Sequence, residues 1–357
     1  MRPIAFAPAV VALAAVLLTA RAVGAKDDLP PRVDEAIRKG SDFLVQAPDW
    51  GMAKELVLLA LIHAGCDRDA TPLREGTTHL LTSPLQSTYQ VSLAAVALVN
   101  LDRIRHQARI ADCAQFLVDS QCANGQWSYG GVAPSAPFLR TGQEGRAAPI
   151  RLRRRTGTAA PGGDNSNTQF ALYGLWAAQL AMVESPEATW RLAHDFFVRT
   201  QGRDGGWGYS ADDTQSSYGS MTCAGMGGLA ICARAIKATK GTAEKIERGV
   251  SWLGGKFTVK GNPGFAYHSG THHLYYLYSL ERAAALLERD RFGGHDWYDE
   301  GARELLGIQL PDGSWNSQVI DTCFAILFLE RATRTIATES ARRPTAVTTP
   351  DDELEGK

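Results

Sequence analysis

The chain has 357 residues, of which 45% are hydrophobic and 21% are charged, and its formal net charge is −1. This composition is that of an ordinary globular protein, with enough apolar residues for one large core or two small ones. A nearly neutral chain has no overall attraction to nucleic acid or to an anionic membrane surface, so neither is expected as a partner.

The first residues have the features of a secretory signal peptide. A basic start at Arg2 precedes an apolar run from Ile4 to Ala20, and small residues up to Ala25 stand before the charged Lys26. This order is typical of a signal peptide over residues 1–25, which predicts cleavage near Ala25 and an exported protein, periplasmic or secreted. The alternative is an uncleaved membrane anchor, because the run is almost long enough to span a bilayer. No later segment is that apolar, so no membrane span is expected after cleavage.

From residue 32 onward, two kinds of helix alternate along the chain. The first kind is amphipathic, with apolar residues at helical spacing on one face. These helices are predicted at 32–46, 72–82, 103–121, 187–201, 242–256 and 297–310. The second kind is apolar nearly all round and must be buried on every side. It comprises a helix at 52–64 and five helices that open at Thr88, Thr168, Thr222, Thr271 and Thr322. Six outer and six inner helices predict an all-α fold, an α6/α6 toroid, over residues 26–336.

One seven-residue motif, Gln-x-x-(Asp/Asn)-Gly-x-Trp, follows three of the amphipathic helices. Its copies run from Gln121 to Trp127, from Gln201 to Trp207 and from Gln309 to Trp315. Such repetition in one register indicates an internal structural repeat. The Asp/Asn-Gly pair predicts a turn, the Trp supplies a large buried surface, and the Gln can hydrogen-bond backbone groups left free at the helix end. We therefore predict a structural role for the motif.

Two segments and the cysteines fall outside this pattern. Residues 130–163 form an insertion rich in Arg and Pro, interpreted either as a mobile surface loop or as a cover that pairs with an anion over a cavity. Residues 337–357 form a polar tail predicted to be disordered. The six cysteines are predicted to be small buried hydrophobes, because two of their pairs lie nine residues apart along one helix, about 13 Å, which is too far for a disulfide.

The repeated motif on alternating helices resembles the prenyltransferase/squalene oxidase repeat, or QW motif, of the terpenoid cyclase and protein prenyltransferase superfamily. The resemblance covers residues 26–336 and identifies the chain as a divergent, squalene-cyclase-like member. It implies an α/α toroid with an apolar central cavity for isoprenoid-like molecules. Function does not follow from fold alone, so the catalytic motifs are compared one by one.

Cyclases of this superfamily protonate an alkene with the middle aspartate of Asp-x-Asp-Asp-Thr. The best match here runs from Asp164 to Thr168 and keeps the first Asp and the Thr. Ser166 stands in the place of the proton donor, and serine cannot protonate a weakly basic carbon. Asp164 remains a candidate catalytic residue. The nearby Asp212-Asp213-Thr214 is interpreted as a solvated loop, with an acid site as the alternative.

Protein prenyltransferases instead hold zinc with Asp, Cys and His, and the metal presents a thiolate nucleophile. Asp321 and Cys323 match the Asp-x-Cys pair of that family, but no histidine follows them. His272 could substitute for it from the preceding inner helix. Asp321, Cys323 and His272 are therefore one candidate metal site, and Asp321 is the second candidate catalytic residue. The alternative is that Asp321 caps its helix, Cys323 packs in the core and no cofactor binds.

The candidate cavity residues lie on the inner helices. They are Thr168, Tyr173, Trp176, Thr222, Tyr275 and Phe324. We predict an exported toroid that binds a hydrophobic, isoprenoid-like small molecule or a protein partner and lacks an intact cyclase acid motif. The alternatives are an active isoprenoid-handling enzyme, similar to a cyclase or a prenyltransferase, and an enzyme of different chemistry on a related toroid.

Overall fold

The computed structural model describes residues 29–47, 49–131, 148–155, 160–213, 216–237, 241–265 and 272–342. Thirteen α-helices lie in these ranges, which confirms the predicted all-α class. The predicted signal peptide and residues 343–357 of the predicted tail lie outside the described residues. Within the described ranges, no helix combines the length and the hydropathy that crossing a membrane requires.

Six helices pack outside the others, and we call them the outer helices; five of them bury one face only, whereas Gln107–Ser120 has twelve of its fourteen residues buried. They are α1 (Leu29–Gln46), α3 (Thr71–Thr82), α5 (Gln107–Ser120), α7 (Glu187–Thr200), α9 (Thr242–Gly255) and α11 (Trp297–Ile308). In α7 the buried side chains include Trp190, Ala193 and Phe197, while Arg191 and Asp195 are exposed. This spacing of three and four residues is that of an amphipathic helix, as predicted.

Six further helices are buried nearly all round, and we call them the inner helices. They are α2 (Lys54–His63), preceded by the 3₁₀ turn Gly51–Ala53, then α4 (Thr88–Asp102), α6 (Asn165–Leu180), α8 (Gly219–Ala235), α10 (His273–Leu287) and α12 (Val319–Leu329). In α6, fifteen of the sixteen residues are buried. Such a helix has no face that water can reach, which is why its sequence carries no polar stripe.

The inner helices contact one another in chain order, and the order closes. Helix α2 contacts α4, α4 contacts α6, and the series continues through α8 and α10 to α12, which contacts α2. The outer helices cover this circuit: α5 packs on α4 and α6, α7 and α9 pack on α8, and α1 packs on α12, α11 and α2. The first outer helix therefore lies beside the last, although most of the chain separates them.

The Gln of each repeated motif joins two outer helices by hydrogen bonds to backbone carbonyls. The amide of Gln201 donates to Gly205 in its own turn and to Lys245 in α9, at 2.8 Å each. The other two copies do the same, from Gln121 to Gly125 and Thr189 and from Gln309 to Gly313 and Ala36. The predicted backbone bonding is present, but the acceptors lie in the turn and in the next outer helix rather than at the end of the Gln's own helix.

The Trp of each copy ties the turn to an outer and to an inner helix. The Trp207 indole donates to the Phe197 carbonyl in α7 at 3.0 Å, and its backbone N–H donates to Thr222 in α8 at 3.2 Å. Equivalent bonds link Trp127 to Leu117 and Thr168, and Trp315 to Leu305 and Thr322. We call each motif with these bonds a staple.

Each staple requires glycine at its fifth position. Gly125, Gly205 and Gly313 have φ of +100°, +98° and +88°, a region that favours glycine. A Cβ on Gly313 would also lie 2.4 Å from the Lys39 carbonyl oxygen of α1. The turn can approach the neighbouring outer helix this closely only without a side chain.

The short strands and the described part of the insertion lie beside the helices. Strand β1 (Ile150–Arg151) pairs in parallel with β2 (Val183–Glu184), and β3 (Arg291–Phe292) pairs antiparallel with β4 (His295–Asp296). Residues 148–155 are held on α5, because Gln115 donates to the Arg153 carbonyl and the Arg155 N–H donates to Asp119. Residues 132–147 and 156–159 of the insertion lie outside the described residues.

Helix α13 (Ala332–Arg342) docks onto a buried carboxyl group of α10. Glu281 is fully buried and accepts hydrogen bonds from the backbone N–H and the hydroxyl of Thr333, at 3.0 and 2.7 Å. Burial raises the pKa of Glu281 from 4.5 to about 7. Because α13 extends to Arg342, residues 337–342 of the predicted tail are helical.

We expect the third staple to contribute most to holding the two ends of the chain together. Replacing Gln309 by Leu removes two hydrogen bonds and leaves the Ala36 and Gly313 carbonyls short of a donor, so the free energy of unfolding should fall by about 1–3 kcal/mol. Urea denaturation measures this change. Gln318→Leu, at an exposed glutamine nearby, is the control, and equal stability of the two variants would contradict the role of the staple.

We expect the Glu281 carboxyl group to lower stability as pH rises from 4.5 to 7, while His63, whose pKa burial lowers to about 4, acts in the opposite direction between pH 4 and 6.5. Glu281 holds its proton more tightly in the folded state than in the unfolded state, so unfolding releases a proton between pH 4.5 and 7. The loss attributable to Glu281 is on the order of 3 kcal/mol. Glu281→Gln should remove this part of the pH dependence, as measured by denaturation at pH 5 and pH 7.5. Identical pH slopes for wild type and variant would contradict the assignment.

Candidate functional site

A cavity of about 890 Å³ lies where the N-terminal ends of the inner helices converge. Each inner helix contributes a lining side chain from its first two turns: Leu56, Tyr89, Phe170, Met221, Tyr275 and Phe324. The helices carry apolar residues here because they are buried all round, so the wall of the cavity is mostly aromatic and aliphatic. The site is therefore built by the scaffold itself rather than by an added loop.

The aromatic side chains of the wall contact one another across helices. The ring centroids of Tyr89 and Phe170 are 4.7 Å apart, those of Phe170 and Tyr275 are 6.4 Å apart, and those of Tyr275 and Phe324 are 5.6 Å apart. Aromatic contacts of this kind fix the orientation of each ring. The wall is a preformed surface against which an apolar molecule can pack.

The opening of the cavity exposes apolar side chains to solvent. Met52 is 90% exposed, Tyr129 is 58% exposed and Ile320 is 50% exposed, and all three line the cavity. Tyr129 is fixed by a hydrogen bond of 2.9 Å between its hydroxyl and that of Tyr209. Apolar groups left in water at the mouth of an apolar cavity are typical of a binding surface.

The floor of the cavity is polar and consists of three hydroxyl groups in a row. Ser166 hydrogen-bonds the hydroxyls of both Tyr89 and Tyr275, and all three residues line the cavity. Behind them, the Gln169 amide donates to the Tyr275 hydroxyl, and Arg282 donates to the Gln169 carbonyl oxygen. A single hydrogen-bonded chain thus runs from a buried arginine to the cavity.

Arg282 is only 4% exposed and is surrounded by aromatic rings. Its guanidinium carbon lies 4.3 Å from the centroid of Phe170 and 4.4 Å from that of Tyr278. Cation–π attraction of this kind partly offsets the cost of burying the charge. Among the described residues no carboxylate forms an ion pair with Arg282, and its Nη1 atom is buried without a hydrogen-bond partner.

Two of the six predicted cavity residues line the cavity, namely Tyr275 and Phe324. The prediction is wrong for Thr168 and Thr222, whose hydroxyls face the staples and accept the backbone N–H groups of Trp127 and Trp207. It is also wrong for Tyr173 and Trp176, which are each 1% exposed and pack deeper in the core. Periodicity places a residue on an inner helix but does not say which side of it faces the cavity.

Asp164 is the N-cap of α6 and is not among the residues that line the cavity. Its carboxylate accepts hydrogen bonds from the backbone and the side-chain amide of Asn167, both at 2.8 Å. Burial raises the pKa of Asp164, and these hydrogen bonds to the ionised form oppose the rise. The bonds hold the carboxylate at the helix end, so the predicted catalytic role has no support in its position.

The candidate metal residues do not come together. Asp321 and His272 line the cavity, but Cys323 is fully buried away from it, because two residues along a helix turn the side chain by about 200°. Burial raises the pKa of the Cys323 thiol well above its usual value. No group of three or more His, Cys, Asp or Glu side chains suited to a metal ion occurs in the described ranges. All six cysteines are free, and five are buried, as predicted.

Two carboxylates, those of Asp321 and Asp213, lie among the described residues that line the cavity. Each accepts a hydrogen bond from a residue close to it in the chain. Asp321 accepts from the Asn316 amide at 2.8 Å, and Asp213 accepts from the Tyr209 backbone at 3.1 Å. Asp213 therefore reaches the cavity from a segment predicted to be a solvated loop. No described residue of the 130–163 insertion lines the cavity, so those residues give no support to a cover over it.

Sequence reasoning missed Tyr89, Phe170, Gln169 and Arg282. Gln169 and Phe170 follow directly on the Asp164–Thr168 match, and the charged pair Glu281-Arg282 in a mostly apolar helix is a usable signal for Arg282. Ser166, which the resemblance places where a cyclase has its proton donor, lines the cavity. The chain matches no protein-family model, and a search of curated proteins gives no significant match.

We expect Asp164 to matter for stability through its cap. Asp164→Ala removes the acceptor for the Asn167 N–H, so the free energy of unfolding should fall by about 1–2 kcal/mol. Asp164→Asn, which keeps a capping oxygen, should lose less. Thermal and urea denaturation of both variants measure the difference, and an alanine variant as stable as wild type would contradict the capping role.

Proposed function

We propose that the chain forms an α6/α6 toroid whose central cavity binds an apolar, isoprenoid-like small molecule. The toroid is supported by the closed order of contacts among the inner helices and by the outer helices that cover them. We also propose a distant relationship to the terpenoid cyclase and protein prenyltransferase superfamily. The three staples, repeated with the same hydrogen bonds, support it.

The observation that carries the binding proposal is the preformed cavity at the ends of all six inner helices. Its volume of about 890 Å³ lies in the range of sites that enclose small molecules. The wall is mostly aromatic and aliphatic, so the favourable free energy of binding would come from removing the apolar surface of the ligand from water. The exposed Met52 and Ile320 at the opening would meet such a ligand first.

The side chains at the cavity favour binding over cyclase chemistry. Ser166 occupies the place where that chemistry requires a protonated carboxyl group, and its neighbours on the floor are tyrosines with pKa values raised by burial. Asp321 is half-buried at the opening and hydrogen-bonded to Asn316. Export through residues 1–25 stays a prediction from sequence, and it agrees with a carrier of apolar molecules outside the cytoplasm.

Ligand binding can be tested with a neutral fluorescent probe. The purified protein should bind N-phenyl-1-naphthylamine saturably, with one site per chain, and farnesol should displace it. Extraction of the protein after purification, followed by mass spectrometry, would identify a ligand that it retains. Absence of saturable binding by both molecules would refute the proposal.

A matched pair of surface variants assigns the binding to this cavity. Ile320→Asp places a charge on a half-exposed lining residue and should weaken probe binding about tenfold through lost apolar contact. Leu192→Asp makes the same change at a residue 39% exposed on α7, outside the lining, and should leave binding unchanged. Equal effects of the two variants would place the binding elsewhere.

A further inference from the structure

We infer that the Tyr89–Ser166–Tyr275 floor is a head-group subsite, which selects apolar ligands that end in a hydrogen-bond-accepting oxygen, such as a hydroxyl or a carboxylate. This inference rests on the proposed function, since it names the polar end of the molecule that the cavity would take. It predicts discrimination against the same apolar body ending in an amine. The direction of the hydrogen bonds behind the floor is the physical origin of this selectivity.

Arg282 sets that direction, because a guanidinium can only donate hydrogen bonds. Its Nη2 group donates to Gln169, so the acceptor there is the amide oxygen Oε1. The Gln169 amide is thereby fixed with its NH₂ toward Tyr275, to whose hydroxyl it donates. Tyr275 therefore accepts from Gln169, which leaves its own hydroxyl proton available to the floor.

The floor has one more hydroxyl proton than its internal hydrogen bonds use, so it offers a ligand one free O–H donor beside its unused lone pairs. Tyr89, Ser166 and Tyr275 carry three hydroxyl protons, while two hydrogen bonds join them. Each bond uses one proton, so one O–H remains. Among the described residues no other acceptor hydrogen-bonds these three hydroxyls, and all three line the cavity. An oxygen acceptor in the cavity would satisfy the remaining O–H, whereas an ammonium group could not, since it has no lone pair to offer.

The electrostatic potential behind the floor also favours an oxygen acceptor over an ammonium group. Arg282 is buried among rings, so its positive charge is little screened by water, and the buried Glu281 beside it in the chain offsets part of that charge when ionised. The six inner helices also direct their N-terminal ends at the cavity, and the partial positive charge of a helix N-terminus favours an acceptor or an anion.

Two carboxylates and the aromatic rings of the lining favour an amine instead, because ring faces attract a cation. Asp213 and Asp321 are half-buried carboxylates, and they would attract an amine to the cavity. Both are engaged by a local donor, from Tyr209 and Asn316 respectively. A preference for an oxygen head group over an amine would therefore have to come from the floor, which makes the comparison a stringent test. Burial raises the pKa of Tyr89 and of Tyr275, so both hydroxyls keep their protons at neutral pH.

The test compares three molecules with the same fifteen-carbon body: farnesol, farnesoate and farnesylamine. Their affinities for the full chain at pH 7.5 are measured by displacement of N-phenyl-1-naphthylamine. We expect farnesol and farnesoate each to bind about tenfold or more tightly than farnesylamine, the value of one well-formed hydrogen bond. The affinity of farnesoate relative to farnesol then distinguishes an anionic head group from a neutral one.

Tyrosine-to-phenylalanine variants assign the selectivity to the floor. Tyr275→Phe removes a floor hydroxyl, and we expect the preference over farnesylamine to fall at least severalfold. Tyr89→Phe is the second variant, in case the first does not fold. Tyr276→Phe is the matched control, because its hydroxyl is buried on the same helix as Tyr275, has no hydrogen-bond partner among the described residues and does not line the cavity. It should leave the preference unchanged.

The outcomes separate the inference from the proposed function. If all three molecules bind with equal affinity, or farnesylamine binds most tightly, the inference is overturned while binding of an apolar ligand stands. The inference is likewise overturned if the preference persists in both Tyr275→Phe and Tyr89→Phe. If neither the probe nor any of the three molecules binds, the proposed function fails, and the inference fails with it.

Discussion

The fold depends on a hydrogen-bonding amide that reaches two backbone carbonyls in separate elements. Each staple glutamine spans the turn after one outer helix and the flank of the next, and Gln309 does so between Gly313 and Ala36, near opposite ends of the chain. Without the glutamine, packing between the helices would shield each of these carbonyl oxygens from water and leave it with no hydrogen-bond donor. The glutamine supplies that donor, and the glycine beside it allows the two backbones to approach closely.

The same turns position the cavity. Thr168 and Thr222 accept the staple tryptophan N–H groups from the first turns of α6 and α8, so these turns are tied to the outer layer. Ser166 and Phe170 lie within one turn of Thr168 and line the cavity on the other side of the helix. Scaffold and cavity therefore share a helical turn and use opposite faces of it. A change in the staple should move the wall of the cavity.

Much of the fold could be predicted, because burial on one face and burial on all faces leave different periodicities. The outer and inner helices follow the predicted ranges to within a few residues at most ends, and the staples were found from their repetition. The site was less predictable. Thr168 and Trp176 were assigned to the cavity from their helix, while Tyr89 was not, because an all-apolar helix gives no signal for which apolar side meets a void.

The sequence by itself determined the helices, their alternation and the turns that connect them, since these depend on local spacing and on residues such as Gly and Asp at fixed positions. Only the tertiary structure decided which side chains meet. Arg282 on α10 and Ser166 on α6 are joined through Gln169 and Tyr275, across more than a hundred residues of chain. Contacts of that kind depend on how far each helix is rotated about its axis, and packing among all the neighbouring helices sets that rotation.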